Sequence, residues 1–187
     1  MKTLNIVAIV GSLRKDSYNR QLALAAGAAL GDRAKLTLLD YRNVPLFNQD
    51  EEYPAPEAVR QAREAIKAAD GVWFFTPEYN HYFPGVLKNL LDWLSRPISK
   101  ETPHVLAGKP AAISGATPGM SGTGIAQDHL VSVISFVNMD VMNQPRLPVP
   151  SVMQQLDESG KLKLTVSAPF LQEQADAFVE FIRSRQK

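Results

Sequence analysis

The stretch Leu4-Asn5-Ile6-Val7-Ala8-Ile9-Val10-Gly11-Ser12-Leu13-Arg14-Lys15-Asp16-Ser17-Tyr18-Asn19-Arg20 decides the fold. Its first part, Leu4 to Val10, is an apolar run that reads as a buried strand. Its second part is small and polar and opens a helix over Ser17–Leu30, with Ser17 or Asn19 near the cap. A junction of this kind leaves backbone N–H groups unpaired at the helix start, where the helix also carries partial positive charge. Gly11 lets the chain turn tightly and come close to a ligand. Ser12 and Ser17 supply hydroxyls and Asn19 an amide. Arg14 supplies a charged fork suited to phosphate oxygens. The natural guest is a phosphate. A polar turn before a capped helix uses the same residue types, so the loop alone leaves that plainer alternative open. It is not a P-loop, because no Gly-Lys-Ser/Thr follows. Nor is it the dinucleotide fingerprint, which needs two further glycines.

Outward from this junction, strands and helices alternate. Gly31 ends the first helix and Lys35–Leu39 reads as a second strand. A loop over Tyr41–Pro54 leads to a helix over Pro56–Ala69. Gly71–Phe75 is an aromatic third strand, Gly85–Leu94 a helix, and Pro110–Ser114 a fourth strand. A helix over Ile125–Val137 precedes a short fifth strand, Met139–Arg146. The proline-rich Pro145–Pro150 reads as a surface excursion, and Ala168–Arg185 is a last helix with Ser167 as its cap. Such alternation implies right-handed crossovers and a parallel sheet. The expected architecture is α/β and flavodoxin-like, a five-stranded parallel sheet with helices on both faces. In that class, ligands sit beyond the carboxyl ends of the strands. Three unusual loops fall there: 11–17, 76–84 and 114–124.

Composition narrows the function classes. The 187 residues suit a single domain over 1–187. The formal net charge of +1 provides no strong field for nucleic acid or an anionic membrane. No cysteine is present, which removes disulfides, thiolate nucleophiles and cysteine metal sites and fits a cytoplasmic protein. No secretory leader is expected from Met1-Lys2-Thr3, and no apolar run is long enough to span a bilayer. His81, His104 and His129 share no metal-like spacing. Gly-x-Ser-x-Gly, the mark of a nucleophile elbow, is absent.

The loop over Thr76–Pro84 is stiffened by Pro77 and Pro84. Tyr79 offers an aromatic plane and Asn80 an amide, which suits either a planar heteroaromatic ring or a rigid turn packed on the core. The loop over Ser114–Gly124 is rich in glycine, which permits close backbone approach to a ligand. The helices at 85–96 and 125–137 carry apolar side chains nearly all round. Leu87, Leu90, Leu91, Trp93 and Leu94 lie on one, and Leu130, Val131, Val133, Ile134, Phe136 and Val137 on the other. Burial twice over, on the sheet and in a homodimer, is the expectation. A deeper monomer core is the alternative.

Gly-Ser-Leu-Arg-x-x-Ser-x-Asn at 11–19, Pro-Glu-Tyr-Asn at 77–80 and Lys-Asn-x-x-Asp-Trp at 88–93 together resemble the NADPH-dependent FMN reductase family. The resemblance runs from about residue 4 to the end of the fourth strand and is weak beyond residue 140. It implies a flavodoxin-like fold, bound FMN, NADPH or NADH as electron donor, and a small-molecule electron acceptor. Candidate acceptors are quinones, free flavin, azo compounds or metal oxyanions. Transfer would be ping-pong, with the flavin carrying the chemistry and no catalytic residue required. The resemblance places Ser12, Arg14, Ser17 and Asn19 at the FMN phosphate. It places Pro77, Glu78, Tyr79 and Asn80 along the isoalloxazine, with Ser114 and Gly115 closing its other side. It also implies a dimer or tetramer. One departure stands out: His81-Tyr82-Phe83 occupies a stretch where the family has small residues, so bulky rings are expected where the acceptor approaches. An electron-carrier flavodoxin is the main rival, but such carriers usually steer with acidic surfaces, and here 20 basic residues face 19 acidic ones. A flavin-free regulatory domain of the same fold is the second rival.

Overall fold

The computed structural model describes residues 2–99 and 102–186. Strand β1 (Leu4–Val10) has β2 (Ala34–Leu38), an edge strand, on one side and β3 (Gly71–Phe75) on the other. Strand β4 (Pro110–Ala116) follows β3. All of these pairs are parallel. Alternation along the strands splits the interior in two. Ile6, Ala8, Val10, Trp73, Phe75 and Ala112 face α1 (Tyr18–Leu30) and α5 (Ala168–Arg185). Val7, Ile9, Val72, Phe74, Ala111 and Ile113 face α2 (Glu57–Ala68), α3 (Gly85–Leu94) and α4 (Gly124–Phe136). Cover on both faces explains why β1, β3 and β4 are apolar throughout rather than alternating. Among the described residues, no helix is long and apolar enough to cross a membrane.

The sheet has six strands, not the expected five, because its far edge is shared. Strand β5 (Asp140–Val141) pairs with Pro110–Ala111, and β6 (Leu147–Val149) pairs with Ser114–Ala116. The chain spends five residues, 142–146, where its partner spends two, and so loops out between them. Pro145–Pro150 is therefore not a surface excursion. Leu147 and Val149 are buried, and Pro148 is tolerated because an edge strand does not need every N–H.

The two apolar helices part company. Leu87, Leu90, Leu91, Trp93 and Leu94 of α3 are all buried within one chain, so the deeper monomer core accounts for them. On α4, Leu130 and Ile134 are buried, but Phe136 is 91% exposed and Ile125 41%.

Candidate active site

The three loops converge at the carboxyl ends of β1, β3 and β4. The Gly11 N–H donates to the Phe75 carbonyl at 2.8 Å, and the Thr76 N–H donates to the Ser114 carbonyl at 2.9 Å. A Cβ on Gly11 would stand 3.1 Å from Pro77 Cδ, so the first two loops are in contact.

The first loop is open. Ser17 caps α1, its hydroxyl accepting from the Arg20 N–H at 3.4 Å, and the first turn of α1 carries no acidic residue. The backbone N–H groups of Ser12, Leu13, Lys15 and Asp16 make no hydrogen bond among the described residues. Unpaired amides at the positive end of a helix are what a phosphate dianion requires, and in this the loop fits the FMN phosphate. The Arg14 guanidinium bonds the Asp16 carbonyl and lies over the Tyr18 ring, 5.2 Å from its centre. Asn19 is buried and reaches across to β4. Its Nδ2 donates to the Ala116 carbonyl and its Oδ1 accepts from the Ala116 N–H, both at 2.9 Å. One Nδ2 hydrogen is thereby used, which leaves one for a ligand.

The second loop is a tight two-residue turn. Tyr79 and Tyr82 exchange N–H to carbonyl bonds at 2.9 and 3.0 Å, with Asn80 and His81 in the left-handed region between them. Asparagine takes that conformation more readily than most residues. Tyr79 is half exposed, and Pro77 is buried. The bulky stretch divides. Phe83 is buried in the core, and Tyr82 stacks on His129 at 4.4 Å. His81 and part of Tyr82 are left facing solvent, so fewer rings stand at the mouth than expected.

Glu78 ties the second loop to the third. Its side chain is 8% exposed, and it accepts from the Ala126 N–H at 3.1 Å and from the Ser121 hydroxyl at 3.2 Å. Thr123, before α4, is left-handed and provides no cap of its own, so the Glu78 carboxylate caps α4 from a distance. Glu78 thus braces the second loop against the third.

Ser114 is not brought to the site. Its hydroxyl is wholly buried on the α5 side, accepting from Trp73 Nε1 at 2.8 Å and donating to Gln174 Oε1 at 2.6 Å. Gly115 is there for space. A Cβ would stand 2.0 Å from Thr123 Oγ1 and 2.3 Å from the Thr76 carbonyl oxygen. What shapes the third loop was missed in the sequence. The Thr117 N–H donates to the Val149 carbonyl, the Ser151 N–H to the Gly119 carbonyl and the Val152 N–H to the Thr117 carbonyl. The signal was present in Leu147-Pro148-Val149, an alternating triplet hidden among prolines.

The chain is similar to known proteins along its whole length. Residues 4–154 match the family described as NADPH-dependent FMN reductase. A 2-hydroxy-1,4-benzoquinone reductase of Burkholderia sp is 38% identical over 182 residues, covering 97% of this chain and 98% of that protein. An NAD(P)H-dependent FMN reductase of Pseudomonas aeruginosa is 38% identical over 181 residues, 96% of each chain. Among solved structures, the flavoenzyme NAD(P)H:(acceptor) oxidoreductase FerB of Paracoccus denitrificans superposes with a TM-score of 0.88 at 33% identity, covering 98% of this chain and 99% of that one. The likeness therefore extends past residue 140, where the sequence motifs fade.

Proposed function

Since the chain belongs to the NADPH-dependent FMN reductase family and is an FMN-dependent NAD(P)H oxidoreductase, we propose that its physiological acceptor is a quinone, reduced by ping-pong transfer. When bound, FMN supplies the two-electron hydride chemistry, and the protein supplies binding, orientation and electrostatics. The open amides of residues 12–16 and the start of α1 carry the reading, together with Ser12, Arg14, Ser17 and the remaining hydrogen of Asn19 as phosphate ligands. Pro77, Tyr79 and Asn80 form one wall for the flavin ring. Glu78 holds that wall against the third loop, and Gly115 lets the loop approach. Ser114 is given no contact with the cofactor. Tyr79 and Tyr82 leave flat, half-exposed rings at the mouth, which suit the stacking of a planar quinone.

Both cores share one sheet, which supports a single FMN-binding domain across the chain. The absence of cysteine and the use of a dinucleotide donor support a cytoplasmic setting. Self-association uses the exposed end of α4 and the part of α3 beside it. Exposed Phe136 edges a cleft of about 350 Å³ between the two helices, lined also by Lys88, Leu91, Asp92 and Val133. A second copy laying its own Phe136 against this groove would remove both apolar faces from water. Phe136→Asp should then reduce the mass measured in sedimentation to that of one chain.

The experiment that tests the enzymatic reading is a visible spectrum of the purified protein before and after anaerobic NADPH. A yellow protein that bleaches supports it, and parallel double-reciprocal plots with a benzoquinone support ping-pong transfer. A yellow protein that stays oxidised with both NADPH and NADH points to an electron carrier. No colour after added FMN overturns the reading of residues 11–19.

A further inference from the structure

Strand β2 leaves β1 at the point where the first loop begins. The ladder between them ends with the Leu39 N–H, which donates to the Ala8 carbonyl at 2.9 Å. Carbonyls that face one neighbouring strand recur at every second residue, so the next one on that side belongs to Val10. A continued ladder would give it the backbone N–H of residue 41. It receives the Tyr41 hydroxyl instead, which donates to it at 2.6 Å. The side chain stands in for the backbone because the strand ends have parted. A cleft of about 450 Å³ opens between them, lined by Ser12 and Arg14 of the first loop and by Leu39 and Tyr41 from the end of β2.

The peptide that leads into the first loop is thus held from both sides. Its carbonyl, from Val10, accepts from Tyr41, and its N–H, from Gly11, donates to the Phe75 carbonyl at the end of β3 at 2.8 Å. Beyond it, the amides of Ser12, Leu13, Lys15 and Asp16 make no hydrogen bond among the described residues. A loop without bonds of its own takes the aim of its amides from the peptide that launches it. Tyr41 is suited to fix that aim. It is 5% exposed, and its ring belongs to the core cluster that contains Ile9, Phe83 and Leu87, so the ring is held by packing. Burial pushes the Tyr41 phenol above its ordinary pKa, and the Tyr79 phenol pushes the same way. The hydroxyl therefore keeps its proton, and remains a donor, throughout the neutral range.

We propose that Tyr41 is a positioning residue for the phosphate loop, and that it sets the preference of the site for FMN over riboflavin, which lacks the phosphate. The proposal rests on the reading of residues 11–19 as the FMN phosphate site. Amides already aimed before binding spare the ligand the cost of ordering them. Without the Tyr41 hydroxyl that cost falls on the phosphate and not on the flavin ring.

The test is fluorescence titration of the stripped protein with FMN and with riboflavin, for the wild type and for Tyr41→Phe. Phenylalanine keeps the ring in the core and removes only the hydroxyl. FMN should bind about tenfold more weakly, equivalent to about 1.4 kcal/mol. Riboflavin should bind within about twofold of the wild type, so its dissociation constant divided by that of FMN falls by about fivefold or more. Ser114→Ala is the control for lost stability alone, since it too removes a buried, hydrogen-bonded hydroxyl, and it should leave that ratio unchanged. Equal weakening of FMN and riboflavin in Tyr41→Phe overturns the proposal, as does no weakening of either. A matching fall of the ratio in Ser114→Ala also overturns it. Failure of the underlying reading shows separately: a wild-type protein that binds riboflavin as tightly as FMN has no phosphate site at residues 11–19, and the positioning role falls with it.

Discussion

The first loop and the end of β4, which Asn19 of α1 joins, are opposite in character. At residues 12–16 four amides stand unpaired, and Arg14 bends over its own loop. At Ser114–Ala116 every polar group named here is spent. The Ser114 hydroxyl is shared by Trp73 and Gln174, its carbonyl accepts from the Thr76 N–H, and both polar groups of Ala116 meet Asn19. Both regions contain serine and glycine at a strand end, and both read from sequence as ligand loops. The difference is one of side. A residue beyond the strand's end faces the ligand crevice, whereas one still inside the strand faces a helix. Ser114 lies two residues before the end of β4 and so belongs to the core.

If the end of β4 is a packed joint, filling it should cause the largest effect. Gly115→Ala drives a methyl against the Thr76 carbonyl, which is backbone and cannot rotate away. A destabilisation of about 3 kcal/mol, at the upper end of overpacking, is expected in urea unfolding. A loss below about 1 kcal/mol would mean that this joint yields and the contrast is overdrawn.

The open loop should respond in the opposite way, through ligand and not through stability. Arg14→Ala removes a charged donor that faces solvent. FMN should dissociate roughly 10- to 150-fold more readily, equivalent to about 1.5–3 kcal/mol, with unfolding little changed. Fluorescence titration of the stripped protein with FMN reads this directly. Unchanged affinity would remove Arg14 from the phosphate site.

Ser114→Ala sharpens the same contrast from the buried side. It strands the Trp73 Nε1–H and takes a donor from Gln174, which should cost about 1–3 kcal/mol of stability. The FMN dissociation constant should stay within about twofold, since less than 0.5 kcal/mol then separates the two proteins. A tenfold weaker FMN would return Ser114 to the site.

The sequence was legible where one local signal had one meaning. Leu4–Val10 and Gly71–Phe75 are apolar throughout because both sheet faces are covered, and their limits match the structure. The start of α1 was narrowed to Ser17 or Asn19 as cap, and Ser17 holds it while Asn19 turns to β4. What failed depended on partners distant in sequence. Nothing near Ser114 reveals Gln174, 60 residues on. Nothing near Leu87 or Trp93 reveals that the chain itself buries them. Leu147–Val149 was obscured by prolines that argue against a strand in general but not at an edge. In the candidate site, the chemistry of Ser12, Arg14 and Tyr79 singled them out, and the structure leaves Arg14 and Tyr79 exposed and Ser12 part-exposed. Glu78 could be chosen as important, but its service as a cap for α4 required the fold.

Glu78 provides the smallest and most discriminating test, because it stands between the two kinds of region. Its carboxylate is nearly buried, like the groups at Ser114, yet it braces the loop that we propose as a wall for the flavin. In Glu78→Gln the amide oxygen can still accept from the Ala126 N–H, and the amide nitrogen can donate to the Ser121 hydroxyl. Both bonds survive, and what is lost is the negative charge, which stands at the start of α4 and 3.5 Å from His81 Nδ1. Charge at a helix N-terminus contributes about 0.3–1 kcal/mol, up to ~2 when partly buried, so a loss of about 1 kcal/mol is expected. For a chain of this size that lowers Tm by about 2–4 °C. FMN should bind nearly as before, because the wall keeps its shape. Glu78→Ala breaks both bonds as well, and should weaken FMN along with the fold. If the glutamine variant already loses FMN while its Tm holds, then the Glu78 charge acts on the flavin ring itself, and the second loop belongs with the first as an open ligand surface.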